Sequence, residues 1–480
     1  MKKDNIKSAL VISIMIVLLS ACASTSTNNA QMSNSASVKA PFISDVININ
    51  EQQLYPQHWT KKLNESDELV MTTKQITNFN QKLFNNNPYL IDPLSLPESY
   101  SKIALTAHID SISSVPSAER YYSNGLKVSE QDYNRYSASL NKEAIEANNL
   151  VKFALVVKRS SLRTFPTFDA VYKKGIDRDL DRFQESGVFP GDALAVLHHS
   201  VDGKWALVRA YNYLAWMPTE DLAIGNKQDI IDYKKSERFV VITGDKVFTN
   251  HVPNSPQISK LQLDMGTKLP LVARELYDHE LYGQNPYANY IVKLPIKNSK
   301  GKLDFVFAPI PRGQDVNVGY LAYTEQNLIK QSFKFLGERY GWGHSYNGRD
   351  CTGFVGEIYK SFGLLMPRNS GQQGKGAYGI NSNFVKNTFS QEKSKRIESL
   401  LVGDLIYISG HVMMFIGYEN EKPYVIHDVK GLGYLKENGE LYRGTLNGVS
   451  VTPLLPLHLN TEISYVENIY NIKSIRPVKK

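Results

Sequence analysis

The chain has 480 residues, too many for one ordinary domain, and a prior of about 150 residues per domain suggests three. Hydrophobic residues make up 42% and aromatics 11%, a globular composition, and 28 tyrosines against four tryptophans point to a β-rich protein with many half-buried surfaces. Fifty-five basic against 47 acidic residues leave +8 with no block of five like charges, so nothing here calls for nucleic acid.

In chain order, "MKKDNIK" is a short basic region and "ALVISIMIVLL" an apolar run of eleven residues, too short for a membrane span but suited to a signal peptide. Leu19-Ser20-Ala21-Cys22 resembles the lipobox of bacterial lipoproteins, which implies a signal peptide over 1–21 and an acylated Cys22. Ser24, where an aspartate would retain the chain at an inner membrane, points in a two-membrane host to the outer membrane, facing the periplasm. Residues 22–40 are polar, low in complexity and read as a flexible tether. A lipidated Cys22 leaves Cys351, the other cysteine, without a disulfide partner in the chain. An exported lone thiol is either well buried or kept for its reactivity.

Residues 41–148 form a helical or mixed domain. "SDELVMTTKQITNFNQKLF" (66–84) predicts a helix capped by Ser66 or Asp67, and "SEQDYNRYSASLNKEAI" (129–145) predicts a second. From 149 to 238 the pattern turns to strands. Val201-Asp202-Gly203-Lys204 is a tight-turn signal between apolar runs, Trp205 and Trp216 lie on the strands after it, and the segment resembles a bacterial SH3-like barrel. His198 and His199 are adjacent on a strand, face opposite ways, and predict no shared metal ion. Residues 239–324 repeat the strand-and-turn character and read as a second, more divergent barrel.

Residues 325–475 change grammar. "EQNLIKQSFKFLGERY" places Leu328, Ser332, Phe335 and Leu336 on one helical face, and positions 351, 354, 355, 358, 359 and 362 repeat at helical spacing. Strands follow at 403–409, 411–419 and 424–429, so the domain is α+β, while 379–397 reads as a loop.

Cys351 stands at the start of a predicted helix, where unpaired N–H groups and the helix dipole favour a thiolate, the form that attacks a carbonyl carbon. His411 opens a strand after Ser409-Gly410 and is the candidate base, and His427, on the adjoining strand, is the candidate orienting residue. Taken alone, this spacing reads by default as a buried structural cysteine and two surface histidines. Close Cys/His pairs of the kind that hold zinc are absent from the sequence.

"YGWGHSYNGRDCTGFVGEIYKSFGLLMPRNSGQQ" (340–373), "VGDLIYISGHVMMFIG" (402–417) and "VIHDV" (425–429) closely resemble the NlpC family of papain-like cysteine peptidases. Upstream segments resemble a multidomain subgroup with a helical N-terminal domain and SH3-like domains. The resemblance implies a multidomain α+β chain, two SH3-like β-barrels followed by a circularly permuted papain-like peptidase domain. It implies cleavage of bacterial peptidoglycan stem peptides after γ-D-glutamyl and before the diamino acid, with a free N-terminal L-alanine, no cofactor and a monomeric chain. Carried over, Cys351 matches the nucleophile, His411 the base, His427 the third polar residue and Tyr340 a tyrosine near the oxyanion. Asp350, Thr352 and Ser370 match positions lining the substrate pocket, and Glu185 and Tyr213 of the first barrel could help cap it. Asp350 beside a thiolate calls for a charge aimed at a substrate ammonium. Thr352 stands where serine is usual, and His344 stands in "WGH" in place of glycine with no assignable role. A catalytically inactive peptidoglycan-binding lipoprotein and an acyltransferase on the same scaffold are the alternatives.

Overall fold

The computed structural model describes residues 42–64 and 67–477, so Cys22, the signal segment, the tether and Ser66 lie outside the described residues. Among the described residues no helix is long and apolar enough to cross a membrane.

The N-terminal region is helical but begins differently from the sequence expectation. Leu69–Met71 is a short strand paired with Tyr323–Thr324, and the helix after it, Thr73–Asn86, is capped by Thr72 in a reciprocal capping box with Gln75. Asp67 is too far upstream to cap it, because pairing with a distant strand overrides local helix signals. The predicted 129–145 helix stops at Ser139 and resumes as a single 3-10 turn at Lys142–Ala144. An unpredicted helix, Lys102–Ile112, buries Leu105 and Ile109. Trp59 is 1% exposed and packs over Gly417, where a Cβ would come within 2.9 Å of the indole, so the region is tied to the C-terminal sheet.

The first β-region is a seven-stranded antiparallel sheet in the order Leu222–Gly225, Lys152–Val156, Ala193–His199, Trp205–Arg209, Leu214–Pro218, Ser160–Arg163, Gln184–Val188. Alternation along its strands feeds two cores. Leu155, Ala195, Leu207 and Trp216 pack with the N-terminal helices, and Ala154, Val156, Val196, Val208 and Ala215 form the other. The Trp216 indole N–H donates to Ser113 Oγ at 2.9 Å, which satisfies the buried donor.

Helix Lys227–Lys235 leads to a second β-region of smaller sheets: Phe239–Ile242 between Lys268–Pro270 and Val316–Val318, the pair Lys246–Phe248 with Gln262–Asp264, and the long hairpin Asn289–Lys297 with Leu303–Pro311. Val240, Val247, Leu263, Leu269, Val292 and Ile310 close its core.

The C-terminal region packs helices Glu325–Phe333 and Cys351–Lys360 on a six-stranded sheet in the order Ile380–Asn383, Asn471–Ser474, Leu405–Ile408, His411–Glu419, Lys422–Leu435, Leu441–Pro453. The first of these helices ends at Phe333, short of its pattern, yet Phe335 stays buried with its ring edge-on to Phe354, centroids 5.6 Å apart. The predicted loop 379–397 contains the edge strand Ile380–Asn383 and the helix Gln391–Ile397. It reads as polar because Lys393 is buried with its ammonium donating to the Val385, Thr388 and Glu467 carbonyls.

Candidate active site

Cys351 is the first residue of helix Cys351–Lys360, and its own backbone N–H precedes the first helical bond. Asp350 caps that helix, and both of its oxygens are saturated. Oδ1 accepts from the Gly353 N–H at 2.9 Å, the Thr352 hydroxyl at 3.0 Å and Arg368 Nη1 at 3.0 Å. Oδ2 accepts from Arg368 Nη2 at 2.6 Å and the Gly343 N–H at 3.0 Å. Burial alone would raise this carboxyl, but the Arg368 guanidinium outweighs burial and holds it well below the ordinary range. The expectation that Asp350 serves as a free acidic anchor for a substrate amine is therefore corrected: its charge is already paired inside the protein. Thr352 is spent in the same way, donating to Asp350 while accepting from Arg368 Nη1 at 2.5 Å.

His411 begins strand His411–Glu419 directly after Gly410, whose φ of 76° turns the chain back from Leu405–Ile408. Its Nε2 lies 2.8 Å from His427 Nδ1, and His427 Nε2 lies 3.0 Å from Thr452 Oγ1. Nδ1 of His411 is then the nitrogen left to take a proton. The polarity that leaves Nδ1 of His411 unprotonated has His411 Nε2–H donating to His427 Nδ1 and His427 Nε2–H donating to Thr452. The Val412 N–H points to the Cys351 sulfur, and Cys351, His411, Tyr340 and Asp428 line one cleft of about 420 Å³.

Burial pushes the Cys351 thiol up to about 12, with the Asp350 charge adding and the Val412 N–H opposing. Burial lowers the His411 imidazole to about 4 and takes His427 well below its ordinary range. A helix N-terminus favours an anion by at most about 2 kcal/mol, and here desolvation wins. Desolvation thus favours thiol and neutral imidazole over the preformed thiolate expected from the helix end alone.

Tyr340 is 7% exposed, and its hydroxyl has no hydrogen-bond partner among the described residues. Burial, then the neighbouring Cys351 and Asp350, raise its pKa far above the ordinary phenol, so it stays a donor at the cleft wall. Ser370 starts the short helix Ser370–Lys375, and its carbonyl accepts from Tyr470.

Glu185 and Tyr213 of the first β-region are joined by a short hydrogen bond from the phenol to Oε2, and Thr164 Oγ1 donates to Oε1 at 2.9 Å. Burial raises the Glu185 carboxyl, and among the described residues it has no cation in ion-pair contact. The next residue, Ser186, accepts from Arg368 Nε at 2.8 Å, and Tyr213 reaches the Asn369 side chain. The barrel edge thus sits against the Arg368–Ser370 segment.

Several residues to which the sequence alone gives no role organise this wall. His344, 5% exposed, places Nε2 3.1 Å from Glu357 Oε1 and Nδ1 3.4 Å from Arg368 Nη2. A Cβ on Gly353 would fall 2.8 Å from that imidazole, so the helix needs glycine there. Arg349 is fully buried and bonds Glu357, Glu338, Asp264 and the Asp245 carbonyl, which links the second β-region to the residue before Asp350. Asp428, beside His427, has neither carboxyl oxygen bonded; burial and then Asp350 and Glu338 raise it well above the ordinary range. Both arginines stand inside the 340–373 motif, but nothing local names their partners. No group of three or more His, Cys, Asp or Glu side chains that could hold a metal ion occurs among the described residues.

Residues 337–449 match the NlpC/P60 family, and residues 166–218 match the SH3 domain (SH3b1 type). The chain is 27% identical over 263 residues, 52% of its length and 68% of the relative's, to a gamma-D-glutamyl-L-lysine dipeptidyl-peptidase of Bacillus cereus (strain ATCC 10987 / NRS 248). It is 25% identical over 195 residues, 40% of its length and 49% of the relative's, to the protein of that name from Bacillus subtilis (strain 168). The fold is similar to an NlpC/P60 endopeptidase from Photobacterium damselae subsp. piscicida, with TM-score 0.68, 20% identity and coverage of 88% of this chain and 96% of that one. The chain is thus a multidomain α/β protein in which an SH3-type segment lies upstream and the region around Cys351 carries the match to the NlpC/P60 family.

Proposed function

We propose that this protein is a cysteine endopeptidase of peptidoglycan stem peptides, cutting after γ-D-glutamyl and before the diamino acid, and held to the bacterial envelope by lipid on Cys22. The observation that carries the chemistry is the His411–His427–Thr452 chain, which engages Nε2 of His411 and leaves Nδ1 for the thiol across a shared cleft.

His411 Nδ1 takes the thiol proton as Sγ attacks the scissile carbonyl carbon, so charge separates only when substrate is present. The Cys351 N–H and the Tyr340 hydroxyl are the donors at hand for the oxyanion. Collapse breaks the C–N bond, His411 returns the proton to the leaving amine, and the acyl group stays on sulfur as a thioester. Water, deprotonated by the same imidazole, hydrolyses that thioester and regenerates the thiol. His427 and Thr452 hold the ring and disperse the transient imidazolium charge.

The Glu185 carboxylate, with Arg368 nearby but no cation in ion-pair contact, supports a preference for stems with a free N-terminal L-alanine, whose ammonium would supply that contact. The gamma-D-glutamyl-L-lysine specificity in the names of the Bacillus relatives agrees with this substrate class. In a host with two membranes, Ser24 near the proposed lipidation site supports an outer-membrane position facing the periplasm.

Mass spectrometry of products from L-Ala-γ-D-Glu-L-Lys and its diaminopimelate counterpart, free and N-acetylated, tests the assignment. The expected product is L-Ala-γ-D-Glu from the free peptides, abolished in Cys351→Ala. Undiminished turnover by that variant, or sacculus binding with no peptide release, would overturn it.

A further inference from the structure

The second β-region carries a groove of about 610 Å³ that shares no lining residue with the Cys351 cleft. Three arginines line it, Arg238, Arg274 and Arg312, together with Tyr277, Tyr287 and Tyr290. No Asp or Glu contributes to the lining; Glu275, Asp278 and Glu280 are close in sequence but exposed and outside it. Among the described residues none of the three arginines forms an ion pair, although most other arginines of the chain do.

The side chains are held in place without being neutralised. Arg274 lies over the Tyr277 ring at 4.9 Å and Arg312 over the Tyr290 ring at 4.6 Å, contacts that fix each guanidinium without neutralising its charge. Arg274 also donates to the Tyr277 carbonyl and has Nη2 3.0 Å from Nδ1 of His279, another lining residue, and Arg312 Nε donates to the Tyr287 carbonyl at 3.3 Å. A separate observation comes from the floor. Asn289 is 4% exposed, lines the groove and has its amide oxygen buried with no donor. Buried acceptors are rarely left unpaired, so this one calls for a hydroxyl or N–H from a ligand.

We propose that this groove binds an anionic saccharide, a glycan segment that carries carboxylate groups beside its hydroxyls. Guanidinium edges fit carboxylates in paired hydrogen bonds. Tyrosine rings, Tyr287 being 81% exposed, offer flat apolar faces to the C–H side of a sugar ring. The Asn289 oxygen takes a sugar hydroxyl or amide N–H, which an inorganic anion alone would not supply. The volume lies within the range of small-ligand sites. This is a second site, independent of the peptidase reading: it would hold the protein on a charged glycan while the cleft acts elsewhere.

Isothermal titration of the purified protein with tetragalacturonate, a carboxylated glycan, and with neutral chitotetraose tests it. Tetragalacturonate should bind at least tenfold more tightly than chitotetraose and weaken as salt rises from 0.05 to 0.5 M, as screening of exposed charges requires, by roughly tenfold. The variant R238Q/R274Q/R312Q should lose at least tenfold in that binding, and Tyr287→Ala a smaller factor, with cleavage of a short stem peptide unchanged in both. A control variant with Lys61, Lys74 and Lys82, all exposed and outside the groove, changed to glutamine should bind like the parent. Equal affinity for the two saccharides, no binding to either, or equal losses in the arginine and lysine variants would overturn the proposal.

Discussion

Asp350 and Glu185 are two carboxylates on either side of Arg368 and the Ser186 it bonds, and they are treated in opposite ways. Asp350, on the C-terminal region, is gripped by Arg368 and by helix N–H groups and is held below the ordinary range. Glu185, at the barrel edge, receives only hydroxyl donors, and burial raises it. A carboxylate with its cation in place stabilises the fold and is closed to substrate. One held by hydroxyls alone costs the free protein something and remains open to a cation from outside. The adjacency of Asp350 to Cys351 in sequence said nothing of Arg368, which already pairs its charge.

Breaking the saturated side should have the largest effect. Arg368→Met strands the buried Asp350 charge, and the expected loss is about 3–5 kcal/mol of unfolding free energy by urea titration, most of it recovered in the double variant with Asp350→Asn. The Asp350 contribution is also pH-dependent. Its folded pKa is depressed, so the stabilisation is complete above the ordinary aspartate value and disappears as pH falls toward the depressed one. Asp350→Asn should flatten that acid limb.

Glu185→Gln sharpens the contrast. Because the folded pKa is raised, the ionised group opposes folding at neutral pH, and the variant should melt no lower than the parent. Turnover of free-amine peptide should fall by roughly 2 kcal/mol, about thirtyfold in kcat/KM, while N-acetylated peptide is unaffected. A drop in melting temperature without this discrimination would assign Glu185 to the fold instead.

The thiol and imidazole give a pH test. With His411 neutral above about 4 and Cys351 protonated up to about 12, kcat/KM should be flat from pH 5 to 8 with its acid limb near 4. Alkylation of the resting thiol by iodoacetamide should instead climb about tenfold per pH unit across that range, since it draws on free thiolate. Parallel profiles would mean a preformed ion pair. The smallest effect is expected for Thr452→Val, which removes the last link of the relay: about 1 kcal/mol in kcat, measured with KM unchanged.

The legible parts of the fold are those written by local spacing. The apolar period of Cys351–Lys360 gave a helix with the thiol at its first position, and Ser409-Gly410 gave the turn that brings His411 to the start of its strand. The partnership of Arg368 with Asp350 was not legible, although both lie in recognised motifs, because ion pairing across eighteen residues leaves no periodic trace. Segment 379–397 misled for a related reason: its strand is made by pairing with Asn471–Ser474, some ninety residues on, and the buried Lys393 looks like surface.

By itself the sequence determined which residues could carry the chemistry and which short elements present them, since helical period, turn residues and caps act within a few positions along the chain. Tertiary structure alone decided their state. Whether a carboxylate is spent or open, whether a thiol rests protonated, and which imidazole nitrogen is left to work all depend on desolvation and on charges brought in from distant segments, and these act through space.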